Sequence, residues 1–455
     1  MTTTNLIFTP PCGPVRGYED GAVVRVSGIP YATAGRFAPP GPAGDWTEPY
    51  EASVLSPACP QVRSRFLTEV LGDALAGLPQ DEHCQRLSVT LPRDVCADEN
   101  LPVMVWIHGG SYTTGAGDAP IMDPALLVAE QRVVVVTVTY RLGLFGYLGS
   151  GHARPANLGL MDQLQALRWV QRNISAFAGD RDQVTLFGQS SGGDAVAHLM
   201  ATREATSLFR RAILQSPPLG ISRGRHKMNA AMAKAAEVVT ADMSADEVVA
   251  LQAEVQKHAS SFGLMGQMAF GTQYGHHPLP AENEIEAAWD RAAPHIDILI
   301  GHTAEEALLY LPTVPALQRV ARAPLVGPMI QRAVIKYITA AVYSRAIGRF
   351  ASRHARAGGR AHTYVLSWAA PGNPYGAAHT IDLPLLLGNK EAWAGSRIIA
   401  GASWDSINAH GRKMRQLWAD FARGVQLDDT GRIPDVLSYR AASGVWRSTA
   451  VGSRR

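Results

Sequence analysis

Short apolar runs alternate with longer amphipathic stretches through most of the chain. The apolar runs are rich in β-branched residues and contain few polar positions, which is typical of strands buried on both faces of a parallel sheet. Six such strands are predicted, at residues 102–108, 132–140, 183–188, 211–216, 295–302 and 362–368. Because strands and helices alternate, the pattern predicts an α/β fold with a mostly parallel central sheet.

Apolar residues spaced three and four apart predict the helices that flank this sheet. One helix is predicted at residues 157–177, where the apolar stripe consists of Leu160, Leu164, Leu167, Val170 and Ile174. A closing helix is predicted at residues 406–424. Residues 228–260 and 315–355 also have helical character but lie outside the regular alternation, so we expect them to be excursions that cover the sheet and shape a pocket.

Composition excludes several classes of protein. Of the 455 residues, 46% are hydrophobic and 18% are charged, so we expect a large core and a single domain over residues 1–455. A net charge of +3 without long charge runs argues against a nucleic-acid partner. The longest apolar run, residues 133–140, is too short to cross a bilayer. No secretory signal pattern opens the chain, so we expect a cytoplasmic protein that does not contact a membrane.

The four cysteines are too few for a disulfide scaffold, and none belongs to a CxxC pair. They are Cys12, Cys59, Cys84 and Cys96. No other ligand pattern indicates a metal site, so we expect chemistry that needs neither a metal nor a cofactor.

The pentapeptide GxSxG occurs twice, centred on Ser190 and Ser222. This motif forms a nucleophile elbow only where it makes a strained turn between a buried strand and a helix. Ser222 follows two prolines and precedes a polar stretch, so we expect it in a loop. Ser190 follows the predicted strand 183–188 and precedes a stretch typical of a helix. Ser190 is therefore the candidate nucleophile.

A serine nucleophile needs a histidine base and a carboxylate that orients the histidine. In the strand–turn–helix arrangement, the acid and then the histidine follow the serine along the chain. His379 lies in a loop rich in Gly and Pro just after the predicted strand 362–368, where catalytic loops of such sheets occur. Glu305 and Glu306 both follow the strand 295–302, and either could be an ordinary glutamate at a helix start. Spacing does not choose between them.

Two glycines follow the strand at residues 102–108, in the sequence "WIHGGSY". Because glycine has no side chain, the N–H groups of such a loop can point inward. An HGG loop of this kind forms an oxyanion hole together with the N–H of the residue after the nucleophile. The sequence therefore predicts an anion site made by this loop and Ser191.

These residues together resemble the type B carboxylesterase family, the cholinesterase-like branch of the α/β-hydrolases. The resemblance extends from about Gly28 to Gly424 and rests on motifs that recur in family order. They are "GIPYA" (28–32), "GRF" (35–37), "WIHGG" (106–110), "YRLGLFGYL" (140–148), "NLGLMDQLQALRWVQRNISAFAGD" (157–180), "FGQSSGG" (187–193), "AILQS" (212–216) and "GAAHTIDLP" (376–384). The resemblance implies an α/β-hydrolase fold with helical excursions over the active site.

The resemblance also implies a role for each matching residue. Ser190 would be the nucleophile and His379 the base, and Glu306 is favoured over Glu305 as the acid. The oxyanion donors would be the backbone N–H groups of Gly110, Ser111 and Ser191. Ser216 matches a serine that hydrogen-bonds behind the acid.

The resemblance further implies two structural pairs and includes several departures. Arg36 would bridge to Glu82, and Cys59 and Cys84 match a disulfide of secreted members, although we expect free thiols in a reducing cytosol. The chain departs from the family pattern at Ser111, Ser191 and Ala307, at "DEHCQRL", and in its shorter segment 305–380. Because Ser111 and Ser191 keep their backbone N–H groups, we expect the oxyanion hole to be retained.

The expected function is hydrolysis of small carboxylic esters through an acyl-enzyme intermediate. A first alternative keeps the same residues but acts on carbamates or amides, or removes or transfers an acyl group in secondary metabolism, since all these reactions pass through a tetrahedral oxyanion. A second alternative is a non-catalytic binding protein of the same fold.

Overall fold

The computed structural model describes residues 6–96, 99–151, 153–313 and 327–444. Its centre is one sheet of eleven strands. In chain order these are β1 (Tyr18–Asp20), β2 (Val23–Pro30), β3 (Arg86–Pro92), β4 (Leu101–Ile107), β5 (Val134–Val138), β6 (Gly179–Gln189), β7 (Arg211–Gln215), β8 (Asp297–Thr303), β9 (Ala361–Leu366), β10 (Thr430–Ile433) and β11 (Leu437–Ala441).

The order of strands across the sheet is β10-β11-β9-β8-β7-β6-β4-β5-β3-β2-β1. The six strands from β9 to β5 are mutually parallel, and they are the six that the apolar runs predict. The strands at both edges pair antiparallel. An α/β fold with a parallel centre is thereby confirmed, and the sheet as a whole is mixed.

Short strands and helices complete the architecture. Two small sheets use Ile7–Phe8, Val15–Arg16 and Tyr50–Glu51, and Ala32–Thr33 with Gly41–Pro42. The α-helices are α1 (Arg65–Leu71), α2 (Ala125–Gln131), α3 (Gly143–Gly146), α4 (Leu158–Asn173), α5 (Ser191–Met200), α6 (Ala205–Leu208), α7 (His226–Ala235), α8 (Ala245–Lys257), α9 (Ile285–Ala292), α10 (Gly327–Thr339), α11 (Arg345–Arg356), α12 (Leu383–Leu386) and α13 (Trp404–Ala422). Shorter 3₁₀ segments are Pro120–Met122, Ile174–Phe177, Ala236–Val238, Ser260–Met268, Glu282–Glu284, Ala293–His295, Glu306–Thr313 and Arg397–Ile399.

The helices match the sequence pattern closely. The stripe at 157–177 forms α4 and its 3₁₀ continuation, and the closing helix 406–424 is α13. Residues 228–260 form two helices, separated where Ser244 caps the second with a capping box. Of the predicted stretch 315–355, residues 315–326 lie outside the described residues, and the rest forms α10 and α11 joined by a π-helical turn at Ala340–Ser344.

The core consists of two apolar layers, one on each face of the sheet. Alternate residues of β4 enter opposite layers, with Val103 and Val105 on one side and Met104 and Trp106 on the other. Helix α4 covers the first face and α13 the second. Side chains in a strand point alternately to the two faces, so a continuously apolar run is what a strand covered on both faces requires.

The two structural pairs implied by the family resemblance lie where it places them. The Arg36 guanidinium donates to both carboxylate oxygens of Glu82. Cys59 and Cys84 are buried and carry free thiols, and burial raises the pKa of the Cys84 thiol. Within the described residues, no helix is both long and apolar enough to cross a membrane.

Candidate active site

Ser190 occupies a sharp turn between β6 and α5. Its backbone has φ 58° and ψ −127°, a conformation that costs energy in a residue with a side chain. The turn needs glycine on both sides, because a Cβ on Gly188 would lie 2.7 Å from the Ile107 carbonyl oxygen, and a Cβ on Gly192 would lie 2.1 Å from the same atom. The GxSxG spacing therefore permits this close approach of the turn to the end of β4.

The structure brings the three side chains predicted for catalysis into one hydrogen-bonded line. The Oγ of Ser190 is 2.8 Å from Nε2 of His379, and Nδ1 of His379 is hydrogen-bonded to Oε2 of Glu306. The other carboxylate oxygen of Glu306 accepts a 2.7 Å hydrogen bond from the N–H of Thr303. This arrangement can transfer the Ser190 proton to His379 while a carboxylate holds the ring.

The side chains of the adjacent residues Glu305 and Glu306 lie in different surroundings. Glu306 is fully buried, whereas Glu305 is exposed and accepts a 3.1 Å hydrogen bond from the N–H of Ala377 in the loop that carries His379. Burial alone would raise the pKa of Glu306, but the neighbouring His379, with a smaller contribution from Ser216, lowers it below its usual value. The buried Oγ of Ser216 makes no regular hydrogen bond to any described residue, so the hydrogen bond behind the acid that the family resemblance implies stays a prediction.

The glycine loop after β4 lies beside Ser190. Gly110, Ser111 and Tyr112 have φ values of 115°, 55° and 61°, so two residues with side chains adopt the left-handed conformation in succession. The N–H groups of Gly110 and Ser111 have no acceptor among the described residues. Ser191 is the first residue of α5, where N–H groups have no intrahelical partner. These three N–H groups can serve an anion.

His108, the residue before the two glycines of this loop, is fully buried. Burial lowers its pKa to about 4, against a smaller opposing effect of its hydrogen bond to Gly109. Its ring stacks on Tyr140 with centroids 4.4 Å apart, and its carbonyl accepts a 2.7 Å hydrogen bond from the Tyr140 hydroxyl. His108 is therefore neutral at ordinary pH.

A mainly apolar cavity of about 260 Å³ opens over Ser190 and His379. Helix α1 forms one wall, and the side chains around the cavity include Phe66, Leu67, Met122, Leu309, Tyr310 and Leu383. The charged pair Arg63–Asp73 lies at the rim, with 2.5 Å between Nη1 and Oδ2. Another cavity, of about 470 Å³, lies around Arg36 and Glu82 but does not include the candidate nucleophile. The smaller cavity can accept an apolar acyl group beside the serine.

Several polar residues near the site are absent from the sequence prediction. The Nε2 atom of Gln189 lies 3.4 Å from Nε2 of His379. Asp382 is buried three residues after His379 and accepts a 2.6 Å hydrogen bond from Gln215. Their positions, directly before Ser190 and shortly after His379, are the only signal in the sequence.

The second GxSxG serine is not at the elbow. Ser222 is buried in a turn, and its hydroxyl donates to Oδ1 of Asp194 on α5. Asp194 also accepts a 2.6 Å hydrogen bond from the Tyr112 hydroxyl. Within the described ranges, no three His, Cys, Asp or Glu side chains are grouped so as to hold a metal ion.

Comparisons with known proteins extend these observations. A family model described as the carboxylesterase family matches residues 4–324. The chain is 36% identical to a probable N-octanoylanthranilate hydrolase of Rhodococcus erythropolis, over 94% of this chain and 93% of that protein. It is 32% identical to the para-nitrobenzyl esterase of Bacillus subtilis (strain 168), over 92% and 90%. The solved structure of a thermophilic para-nitrobenzyl esterase has a TM-score of 0.78 and 30% identity, over 94% of this chain and 93% of that chain.

Proposed function

The chain belongs to the carboxylesterase family, has its α/β-hydrolase fold and is a carboxylic ester hydrolase, and we propose that Ser190, His379 and Glu306 carry out the hydrolysis. The observation that supports this most strongly is the 2.8 Å contact between the Ser190 hydroxyl and His379, with the imidazole bound on its other side to Glu306.

The first half of the proposed reaction forms an acyl-enzyme. The Oγ of Ser190 attacks the ester carbonyl carbon while its proton moves to Nε2 of His379, and Glu306 stabilises the resulting imidazolium. The carbonyl oxygen becomes an oxyanion, for which the N–H groups of Gly110, Ser111 and Ser191 are the proposed donors. The intermediate then collapses: the bond to the alcohol oxygen breaks, and His379 gives its proton to the departing alcohol.

The second half repeats these steps with water. His379 removes a proton from a water molecule that attacks the acyl carbon, and the same N–H groups hold the second oxyanion. Breaking the bond to Ser190 releases the carboxylic acid and returns the proton to the serine. No metal or redox group is needed for either half.

Replacing Ser190 tests the mechanism directly. We expect Ser190→Ala to lower the kcat for a short p-nitrophenyl ester by a factor on the order of 10⁴ or more, because the bond-forming atom is lost. The exposed Ser207, which does not line the cavity, provides the matched control Ser207→Ala. A Ser190→Ala protein as active as this control would refute the proposal.

Covalent labelling separates an enzyme from a binding protein of the same fold. An organophosphate should add one phosphoryl group to the wild-type chain, and peptide mass spectrometry should locate that group on Ser190. A wild-type chain that neither reacts with the organophosphate nor hydrolyses p-nitrophenyl esters of short or long acids would favour the non-catalytic alternative.

Amide hydrolysis is a second candidate, supported by the relative named for N-octanoylanthranilate, whose acyl group is attached to nitrogen. The same oxyanion and the same proton transfer to the leaving group would serve this bond. Two sets of substrates would rank these activities by kcat/KM. One set compares the ester and the amide of octanoic acid, and the other compares an ester, an amide and a carbamate that share one aryl group. The ester assignment predicts that the ester is the preferred member of each set.

The other expectations from the sequence stay predictions. They are a single domain over residues 1–455, a cytoplasmic location and the absence of a nucleic-acid partner. The small ester substrate is the part of the partner prediction that the family supports.

A further inference from the structure

A buried carboxylate lies on α5 one helical turn after the candidate nucleophile. Asp194 is 1% exposed, and each of its oxygens accepts a hydrogen bond from a distant part of the chain. Oδ2 accepts from the Tyr112 hydroxyl at 2.6 Å, and Oδ1 accepts from the Ser222 hydroxyl. A buried charge costs free energy unless it is well paired. Packing alone therefore does not account for a carboxylate at the centre of this cluster of Tyr112, Asp194 and Ser222.

Tyr112, the main partner of Asp194, is held at three points. Besides its hydroxyl contact, its N–H donates to the Ser191 Oγ at 3.2 Å, and its carbonyl accepts the N–H of Gly143 at 2.7 Å. Two of these contacts join the loop after β4 to α5, the helix that begins directly after Ser190. The loop and the nucleophile are thereby fixed relative to each other.

The loop needs such support because of its conformation. Ser111 and Tyr112 both have left-handed backbone, which residues with side chains rarely adopt. Such conformations persist where surrounding contacts over-determine them. Without the contacts of Tyr112, these residues would relax, and the N–H groups of Gly110 and Ser111 would turn with them.

A buried cation, the Arg225 guanidinium, also lies near Asp194. Burial lowers the pKa of the Arg225 guanidinium, while the nearby Asp194 acts in the opposite direction. Arg225 donates to the carbonyls of Met268 and Ala269 at 2.6 and 2.8 Å, which fixes it in place. On the helix itself, Nδ1 of His198 lies 3.5 Å from Oδ2 of Asp194.

We propose that Tyr112 and Asp194 are positioning residues of the oxyanion hole, which hold Gly110 and Ser111 so that their N–H groups face the tetrahedral intermediate. This inference rests on the proposed function. Neither residue touches the substrate, so their loss should weaken binding of the transition state more than binding of the ester.

The test compares Tyr112→Phe with a matched control, Tyr147→Phe. The Tyr147 ring packs on Tyr112 with centroids 4.4 Å apart, and its buried hydroxyl binds Gln163 instead of α5. We expect Tyr112→Phe to lower kcat roughly 10- to 100-fold with KM within about twofold, a loss comparable to that of a misplaced or missing donor. Tyr147→Phe should keep kcat within about threefold, because it leaves the loop anchored.

Affinity for a trifluoromethyl ketone isostere of the ester gives a second readout. This inhibitor forms a tetrahedral adduct with an oxyanion, so its affinity should fall in Tyr112→Phe by about the same factor as kcat. Thermal denaturation of both variants shows whether loss of stability accounts for the change. A merely structural hydroxyl would lower the melting temperature and leave the inhibitor affinity intact.

Two results would overturn the inference: a kcat for Tyr112→Phe no lower than that of Tyr147→Phe, or a lower kcat with unchanged inhibitor affinity. If Tyr112→Phe does not fold, Asp194→Asn is judged by the same two criteria. An active wild type with an unaffected Tyr112→Phe refutes this inference alone. A wild type that hydrolyses no ester and reacts with no organophosphate refutes the proposed function instead.

Discussion

Asp382 accepts a 2.6 Å hydrogen bond from the side-chain amide of Gln215, whose backbone carbonyl accepts the N–H of Ser190 at 2.8 Å. The side-chain carbonyl of Gln215 in turn accepts from Trp418 on α13 at 3.2 Å. One residue at the end of β7 therefore connects the backbone of the candidate nucleophile, the loop of the candidate base and the closing helix.

Asp382 should make the stability of the protein depend on pH. Burial raises its pKa from 3.8 to about 6, so between these values the folded state binds more protons than the unfolded state. Its contribution to stability is therefore present below the unfolded pKa and is lost as the pH rises through the folded one. Asparagine does not titrate, so Asp382→Asn should not lose this contribution as the pH rises. We therefore expect the free energy of unfolding of Asp382→Asn minus that of wild type to increase by about 2 to 3 kcal/mol between about pH 4 and about pH 7.

Urea denaturation at a series of pH values measures this difference. The exposed Asp182 on β6 offers the matched control Asp182→Asn, measured over the same pH series. If the stability of Asp382→Asn relative to wild type is the same at every pH, the buried carboxyl does not titrate as described.

Glu306 and Glu305 form a natural pair of variants. Glu306→Gln keeps the shape of the side chain but removes the charge that stabilises the imidazolium, so we expect kcat to fall by a factor on the order of 10³ to 10⁴. Glu305→Gln retains an oxygen that can accept from Ala377, and its kcat should stay within about threefold of wild type. Steady-state kinetics on one ester decides between them, and equal losses would mean that the acid is wrongly assigned.

Gly192 should not tolerate a methyl group. A Cβ there would lie 2.1 Å from the Ile107 carbonyl oxygen, a backbone atom that cannot move without shifting β4. We expect Gly192→Ala to lower the free energy of unfolding by about 1 to 3 kcal/mol and to abolish most activity, because the elbow must open. Gly44, around which a Cβ would meet nothing within 4 Å, gives the control Gly44→Ala. Similar denaturation midpoints for the two variants would contradict the steric argument.

The cavity wall predicts a preference for acyl length. Leu67→Trp would narrow the cavity of about 260 Å³ beside Ser190. We expect kcat/KM for p-nitrophenyl octanoate to fall by about 10- to 100-fold, since lost room for a few methylenes has effects of this size, while the acetate ester changes by less than about threefold. The exposed Val238, which does not line this cavity, gives the control Val238→Trp. Parallel losses on both esters would mean that the wall does not select acyl length.

The parallel centre of the fold could be predicted from the sequence, but the edges could not. Strands β4, β5, β7 and β8 are covered on both faces for most of their length and so stand out as apolar runs. Strands β10 and β11 alternate exposed and partly buried positions, and β2 contains Gly28 and Pro30, so neither kind of edge strand gives a continuous signal.

The candidate site shows the same division. Ser190 and His379 follow the carboxyl ends of β6 and β9, and the spacing of the sequence motifs reveals both positions. Choosing Glu306 over Glu305 depends on the direction of two adjacent side chains, which periodicity does not resolve. The hydrogen bond between Tyr112 and Asp194 joins residues 82 positions apart, so no local sequence pattern predicts it.

Helix α1 forms a wall of the cavity, yet the candidate triad comes from other segments. Of its seven residues, only Val70 and Leu71 are buried, and the carbonyl of Val70 accepts a 2.9 Å hydrogen bond from Ser396. This wall of the cavity is thus encoded in a segment separate from the candidate reacting groups. An engineer could graft a different wall between residues 65 and 71 to redirect the protein toward bulkier acids while the reacting groups remain untouched.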